Sequence, residues 1–216
     1  MEIADPAAQG RTSCGPAAPR RTRTPSVDVV RELVAAAEVV LVRDGPGGVT
    51  VRAVAAQAGI APMGVYNRLG GKEGLVDALL IIGFDRLRAA VQGRKEPDML
   101  ERMRACGGRY REFALANPAF YAIMFEDAIP HDFSSAEVAE HASAAFGALE
   151  SLVQEAAAAG EIAVTDPTEV AQQIWSALHG AVALELKGLI QTPDPAATYR
   201  ATVETLLRGL AVTAPG

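Results

Sequence analysis

The stretch Thr50–Leu75, TVRAVAAQAGIAPMGVYNRLGGKEGL, decides how the rest of the chain is read. Its apolar positions are Val51, Val54, Ala55 and Ala58, then Ile60, then Val65 and Leu69, so a helical period breaks once at Gly59 and restarts. This spacing predicts two short helices meeting at a tight turn. Ala55 is small where the helices must cross closely, and Gly59 can take the positive φ that such a turn needs. Pro62 falls where a first helical turn tolerates a missing N–H. The second helix, expected from Pro62 to Leu69, is too short to be stable alone. Its neighbours must hold it, which leaves its outer face free to touch something else.

That outer face carries Met63, Gly64, Tyr66, Asn67 and Arg68, and Lys72 follows at the start of the next helix. No carboxylate occurs from Gly45 to Lys72. Arg52, Arg68 and Lys72, an Asn amide and a Tyr hydroxyl together suit a polyanion, because phosphate oxygens accept hydrogen bonds from all of these groups. Here the stretch resembles the DNA-binding domain of the TetR family of bacterial repressors. The features that carry the resemblance are the Ala58-Gly59 turn, Tyr66 in the second helix and Lys72-Glu73-Gly74-Leu75 opening the third. The resemblance covers Val27 to Leu79 and is much weaker beyond.

The resemblance implies that Tyr66 and Lys72 grip phosphates of a double-stranded DNA operator, with Thr50 doing so from the mouth of the first helix of the pair. It further implies that Pro62, Met63, Gly64 and Asn67 face base edges. Met63 suits a thymine methyl, Asn67 an adenine, and Gly64 permits close approach of the backbone. Three positions depart from the family pattern. Leu69 stands where an aromatic is usual, Gly70-Gly71 where a Pro-Ser-like cap is expected, and Ala61 where a Ser-like N-cap precedes the recognition helix. The last change costs that helix up to roughly 1 kcal/mol. All three bear on the operator sequence more than on DNA binding.

The chain has 216 residues, 50% of them hydrophobic, enough for a sizeable core in one large domain or two small ones. A net charge of -6 first argues against a nucleic-acid partner. Its distribution reverses that: residues 1–72 hold nine Lys/Arg against six acids, a balance of +3, and the remainder carries -9. Cys14 and Cys106 lie in unlike contexts and imply no disulfide framework. The absence of a long apolar run or a secretory leader pattern leads to the expectation of a cytoplasmic protein without a membrane span.

Expected organisation is all-α: a three-helix helix-turn-helix DNA-binding domain and a larger helical ligand-binding and dimerisation domain. Residues 1–24 are expected to form a disordered basic arm, in which Arg20, Arg21 and Arg23 can reach a minor groove or serve only as a solvated tail. Residues 25–72 form the DNA-binding domain, with a first helix from Ser26 to Arg43 ended by Asp44-Gly45-Pro46-Gly47-Gly48. That glycine cluster lacks the order of a phosphate loop. Residues 73–93 form a linking helix and residues 94–212 the larger domain, with helices at Pro97–Ala116, Pro118–Phe125, Ser134–Ala159, Pro167–Leu189 and Pro195–Val212. Asp166-Pro167-Thr168-Glu169 is a strong start signal, with Asp166 as N-cap and Glu169 able to reach back.

The last two helices bear apolar stripes, Val170, Ile174, Trp175, Leu178, Val182, Leu186 and Leu189, then Tyr199, Val203, Leu206, Leu207 and Leu210. Such stripes pack internally or against a second copy, and the resemblance favours a homodimer through these two helices as a four-helix bundle. Two recognition helices then enter successive major grooves about 34 Å apart. No catalytic motif occurs, and no metal or cofactor is expected. Glu137 and His141 lie four apart and are read as a solvated pair rather than a metal site. Trp175, His179 and Gly180 resemble a tryptophan-histidine-glycine signature of one TetR subgroup, and His179 suits either a hydrogen-bonded core site or a ligand contact. An unknown small-molecule effector, apolar or aromatic, is expected among Met103, Tyr110, Phe113, Tyr121, Met124, Phe125, Phe146, Trp175 and His179, residues that serve equally well as core; Met99 and Phe120 belong to the same set.

These features lead to a ligand-responsive transcriptional repressor rather than an enzyme. The alternative is a small-molecule carrier or sensor whose helix pair is only structural. A basic reading face and a steep dependence of affinity on salt separate the two.

Overall fold

In the computed structural model the described residues are 26–92, 96, 98–126 and 135–212. The arm over residues 1–24 and His131 lie outside them. Nine α-helices and no strand occur among the described residues, which carry one isolated antiparallel bridge, Ile162 to Ala211. The all-α expectation holds.

The first helix, α1 (Ser26–Asp44), turns Leu33, Ala37, Val40 and Leu41 inward, all fully buried. It packs across α2 (Val51–Ala58), and α2 across α3 (Pro62–Leu69). Thr50 caps α2 by accepting from the Ala53 N–H at 3.1 Å. At the other end Gly59 takes φ 68°, its N–H bonds to the Ala56 carbonyl at 3.2 Å, and the Ile60 N–H bonds to that of Ala55 at 3.0 Å. This is a Schellman closure, and it sets the sharp turn into α3. Val65 is the one fully buried side chain of α3, so this eight-residue helix is held by a single apolar anchor with help from half-buried Ile60 and Leu69. Burial of one such side chain contributes roughly 1.5–3 kcal/mol.

The linking helix α4 (Lys72–Val91) touches α1 and α3 at one end and the larger body at the other, where it packs on α5 (Met99–Ala116), α6 (Pro118–Phe125) and α7 (Ala136–Ala158). The chain then finishes with α8 (Pro167–Leu186) and α9 (Pro195–Leu210). Ion pairs tie α5 to its neighbours: Arg104 to Glu204 of α9 at 2.7 Å and Arg111 in a two-pronged contact with Glu185 of α8. The buried Tyr199 hydroxyl donates to the Gly107 carbonyl at 2.8 Å, fixing α9 on α5.

Some boundaries differ from expectation. α5 starts at Met99, where Asp98 accepts from the Glu101 N–H at 3.0 Å. The expected start, Pro97, lies outside the described residues, as does Ser134; α7 begins at Ala136 behind Ser135 as cap. α8 stops at Leu186 because Gly188 at φ 66° lets the Leu189 N–H return to the Leu184 carbonyl. α9 stops at Leu210, whose carbonyl accepts from the Ala163 N–H at 2.8 Å. Asp166 caps α8 as expected, accepting from the Thr168 and Glu169 N–H groups. The Glu169 carboxylate does not reach back but accepts from Gln173 at 2.9 Å.

The apolar stripes assigned to dimer packing need correction. Val170, Ile174, Leu178 and Val182 of α8, and Tyr199, Val203 and Leu207 of α9, are buried within the protomer. The exposed residues of this helix pair instead include Gly180 and Leu184 on α8 and Ala201, Thr205 and Gly209 on α9, beside polar Gln173, Ser176, Arg200 and Arg208. Periodicity found the stripe that builds the core, and the weaker pattern behind it was masked by small residues.

Candidate nucleic-acid interface and internal cavity

All of the expected DNA contacts except Gly64 are exposed: Thr50, Arg52, Pro62, Met63, Tyr66, Asn67, Arg68 and Lys72. Gly64 is half-buried. Met63 and Tyr66 are 64% and 53% exposed, values that an isolated structural hairpin has no reason to keep. The structure brings these residues together on and beside the outer side of α3. Arg68 folds along its own helix and donates to the Gly64 carbonyl at 3.3 Å, so it must swing out to meet a phosphate. Gly64 fits because a Cβ would stand 2.9 Å from Ile60 Cδ1.

The Gly70-Gly71 departure at the end of α3 has a structural account. Gly70 closes α3 at φ 72°, with its N–H on the Tyr66 carbonyl, and Gly71 at φ 112° lies under the Tyr66 ring. A Cβ on Gly71 would stand 3.1 Å from Tyr66 Cε1, so the glycine pair makes the seat for that ring. Neither Ala61 before α3 nor Gly71 before α4 supplies a side-chain cap. Contact between the two helices is tighter three residues on, at Gly74. A Cβ on Gly74 would fall 1.7 Å from the Leu69 carbonyl oxygen, and this makes the first turn of α4 a fixed continuation of α3.

Basic groups nearby are partly committed. Arg43 is bonded to Asp44 and to Gln57, and Asp44 is held below the usual carboxylate range by the Arg43 guanidinium. Arg52 and Lys72 have no ion pair to a described acid and remain available.

A cavity of about 720 Å³ lies between α4, α5, α6, α7, α8 and α9, within the size range of small-molecule sites. Of the expected ligand residues, Met103, Tyr110, Met124, Phe125, Phe146 and Trp175 line it. Phe113, Tyr121 and His179 do not, and neither do Met99 and Phe120. Phe113 is buried in the wall, and Phe120 lies under the Arg86 guanidinium at 4.9 Å.

His179 belongs to a network one layer behind the cavity. Its Nδ1 lies 2.8 Å from the Tyr110 hydroxyl and 3.0 Å from that of Tyr121, with its ring stacked on Tyr121 at 5.3 Å. Two hydroxyl donors suit an unprotonated Nδ1, and burial accordingly pushes the imidazole below its ordinary range. Burial also raises Tyr110 to about 12 and Cys106 to about 11, so both stay neutral. His141 is not paired with Glu137; its Nδ1 meets Asp85 of α4 at 2.8 Å. Among the described residues no three metal-capable side chains cluster.

Sequence reasoning missed the aliphatic wall formed by Leu87, Leu178, Val203 and Leu207, and a polar rim formed by Glu126, Glu150, Thr168 and Gln172. Helical spacing would have found the rim. Glu150 lies one turn beyond Phe146, while Thr168 and Gln172 precede Trp175 at i, i+4 and i+7.

Residues 33–79 match the family described as bacterial regulatory proteins, tetR family, and residues 103–206 match the tetracyclin repressor-like C-terminal domain. The chain belongs to the TetR family. An uncharacterized HTH-type transcriptional regulator of Mycobacterium tuberculosis is 28% identical over 209 residues, 95% of this chain and 91% of that one. A protein of unknown function from Rhodococcus sp. RHA1 has a similar structure, with a TM-score of 0.77 and 30% identity over 85% of this chain and 96% of its own. The fatty acid degradation regulator FadR from Bacillus halodurans shares the fold at 20% identity, with a TM-score of 0.64 over 88% and 98% of the two chains. This TetR-family chain is therefore a transcriptional regulator with a helix-turn-helix DNA-binding domain, and not an enzyme. No helix among its described residues is long and apolar enough to cross a membrane.

Proposed function

We propose that this protein is a homodimeric repressor that binds a palindromic operator and is released by a small apolar or aromatic effector in the 720 Å³ cavity. Residues 25–72 read DNA, 73–93 transmit, and 94–212 bind the effector and the second copy. Tyr66, Lys72 and Thr50 hold phosphates, with Arg52 and Arg68 adding positive charge. Pro62, Met63, Gly64 and Asn67 meet base edges.

The observation that carries the effector reading is the position of α6. Its Met124 and Phe125 line the cavity, while the same Met124 packs against Gly83 of α4, where a Cβ would stand 2.7 Å from its sulfur. Arg86, one turn further along α4, bonds Glu38 of α1 at 2.6 Å and covers Phe120 of α6. An effector that displaces Met124 therefore biases α4, and the Gly74 contact carries that bias to α3. Release requires that the effector bind the DNA-incompetent arrangement more tightly than the competent one.

The second copy docks on the outward side of α8 and α9, where Gly180, Ala201 and Gly209 allow close approach and Leu184 is 47% exposed. Leu184→Glu should halve the mass measured by light scattering and abolish binding to a palindromic site. A mass unchanged from wild type would place the interface elsewhere. For the function as a whole, footprinting on the DNA upstream of its own gene decides: absence of a sequence-selective complex at low salt would overturn the proposal.

A further inference from the structure

We infer that the cavity selects an amphipathic organic cation, an ammonium group on an apolar body, over an anionic amphiphile of the same size. This rests on the effector reading above and adds the charge of the ligand. Among the described residues, the lining contains two carboxylates, Glu126 and Glu150, and no Lys, Arg or His side chain. Glu126 is already met by Lys187 at 3.4 Å. Glu150 is bonded by the Thr168 hydroxyl at 2.6 Å and has no ion pair to a described cation. It is a half-buried acid that no described cation pairs with.

Position adds to charge. Glu150 lies one turn from Phe146, whose ring stands edge-to-face with Trp175 at 6.2 Å, and Phe125 stands 6.0 Å from Trp175 on the other side. Aromatic rings that share a cavity lining with a carboxylate attract an ammonium group both through the ring quadrupoles and through the acid. Beyond them the cavity is aliphatic, ending on Leu178, Val203 and Leu207. A cationic head therefore rests at the Glu150 rim with its body running inward. A carboxylate head in the same place would face two acids and, among the described lining residues, no cation, since Lys187 is held on Glu126.

Trp175 is the sole tryptophan, so its emission reports occupancy of the full-length protein. Decyltrimethylammonium, decanol and decanoate, each below its micelle-forming concentration, separate charge from chain length. The cation should bind about ten-fold more tightly than decanoate. Glu150→Gln should erase most of that preference and leave decanol unchanged, whereas Glu161→Gln, an exposed acid remote from the cavity, should alter nothing. Decanoate binding as tightly as the cation, or a preference that survives Glu150→Gln combined with Glu126→Gln, would overturn the inference. If decanol still releases the protein from DNA in that case, the effector reading stands without it. Failure of all three probes to change Trp175 emission overturns both.

Discussion

Lys72 opens α4 in solvent beside the DNA-reading helix, and Val91 closes the same helix against the cavity. The two ends are built on opposite principles. At the first, α3 has one fully buried residue, Val65, a half-buried Leu69, and displays Pro62, Met63, Tyr66, Asn67 and Arg68. At the second, Phe84, Leu87 and Val91 of α4 and the apolar sides of α5 to α9 face one another and leave a gap between them. Function at the reading end depends on which atoms project. Function at the cavity end depends on where atoms are missing. A substitution that removes a projecting group should therefore cost binding and little stability, whereas one in the helix-to-helix contacts should cost both.

The sharpest way to break that contrast is Tyr66→Ala combined with Lys72→Ala. Both side chains are exposed, so thermal stability should stay near wild type while operator affinity falls about 100-fold. Lys72→Ala alone should lower the slope of log affinity against log salt by about 2 for a dimer, one for each copy. Fluorescence anisotropy over a salt series measures both. If the double variant unfolds instead, these side chains are structural and the reading end does not work by display.

Gly74→Ala attacks the joint between the two regimes. The added Cβ meets a backbone carbonyl at 1.7 Å, which no rotamer change can relieve, so α3 and α4 must separate. The expected cost is about 1–3 kcal/mol by chemical denaturation, together with weaker DNA binding. Retained stability with lost DNA binding would show that the contact sets only the angle of α3.

The same contrast explains what was legible in the sequence. Gly59, Pro62, Tyr66 and Lys72 sit where backbone geometry or exposure demands particular residue types, so their order along the chain carries meaning. The start of α8 was legible for a similar reason, since Asp166 accepts backbone N–H groups as its cap, while α5 and α7 begin slightly later than expected, behind Asp98 and Ser135. Helix ends fared worse, as the C-termini of α8 and α9 depend on Gly188 and on the distant Ala163 N–H. The cavity was legible only in part. Phe113 and Phe146 are both aromatic residues on amphipathic helices, yet one is buried in the wall and the other lines the space. Nothing in residue type distinguishes them, because a void is a property of how several helices fail to meet.

Ala61→Ser sharpens the comparison in the opposite direction. Ala61 has the extended backbone of an N-cap, φ -70° and ψ 144°, but accepts no hydrogen bond. A serine hydroxyl there should stabilise α3 by roughly 1 kcal/mol and raise the thermal midpoint. Operator affinity should change less than it does for the phosphate-contact variants, because the projecting groups remain as they are. A gain in affinity of comparable size would mean that ordering of α3, rather than its display, limits DNA binding.

The smallest expected effect lies behind the cavity. Burial holds the His179 imidazole below its ordinary range, with the Glu126 charge opposing this only in part. The unfolded chain thus takes up a proton below about pH 6.5 that the folded chain resists. Stability from neutral His179 is present above that pH and is lost as pH falls toward the lower folded value. Replacing the histidine by glutamine keeps a hydrogen-bonding side chain near the Tyr110 and Tyr121 hydroxyls but removes the titration. The drop in thermal midpoint between about pH 7.5 and about pH 5.5 should therefore be smaller in His179→Gln than in wild type. An equal drop in both would assign the acid sensitivity to other groups and would leave the Tyr110–His179–Tyr121 network as packing alone.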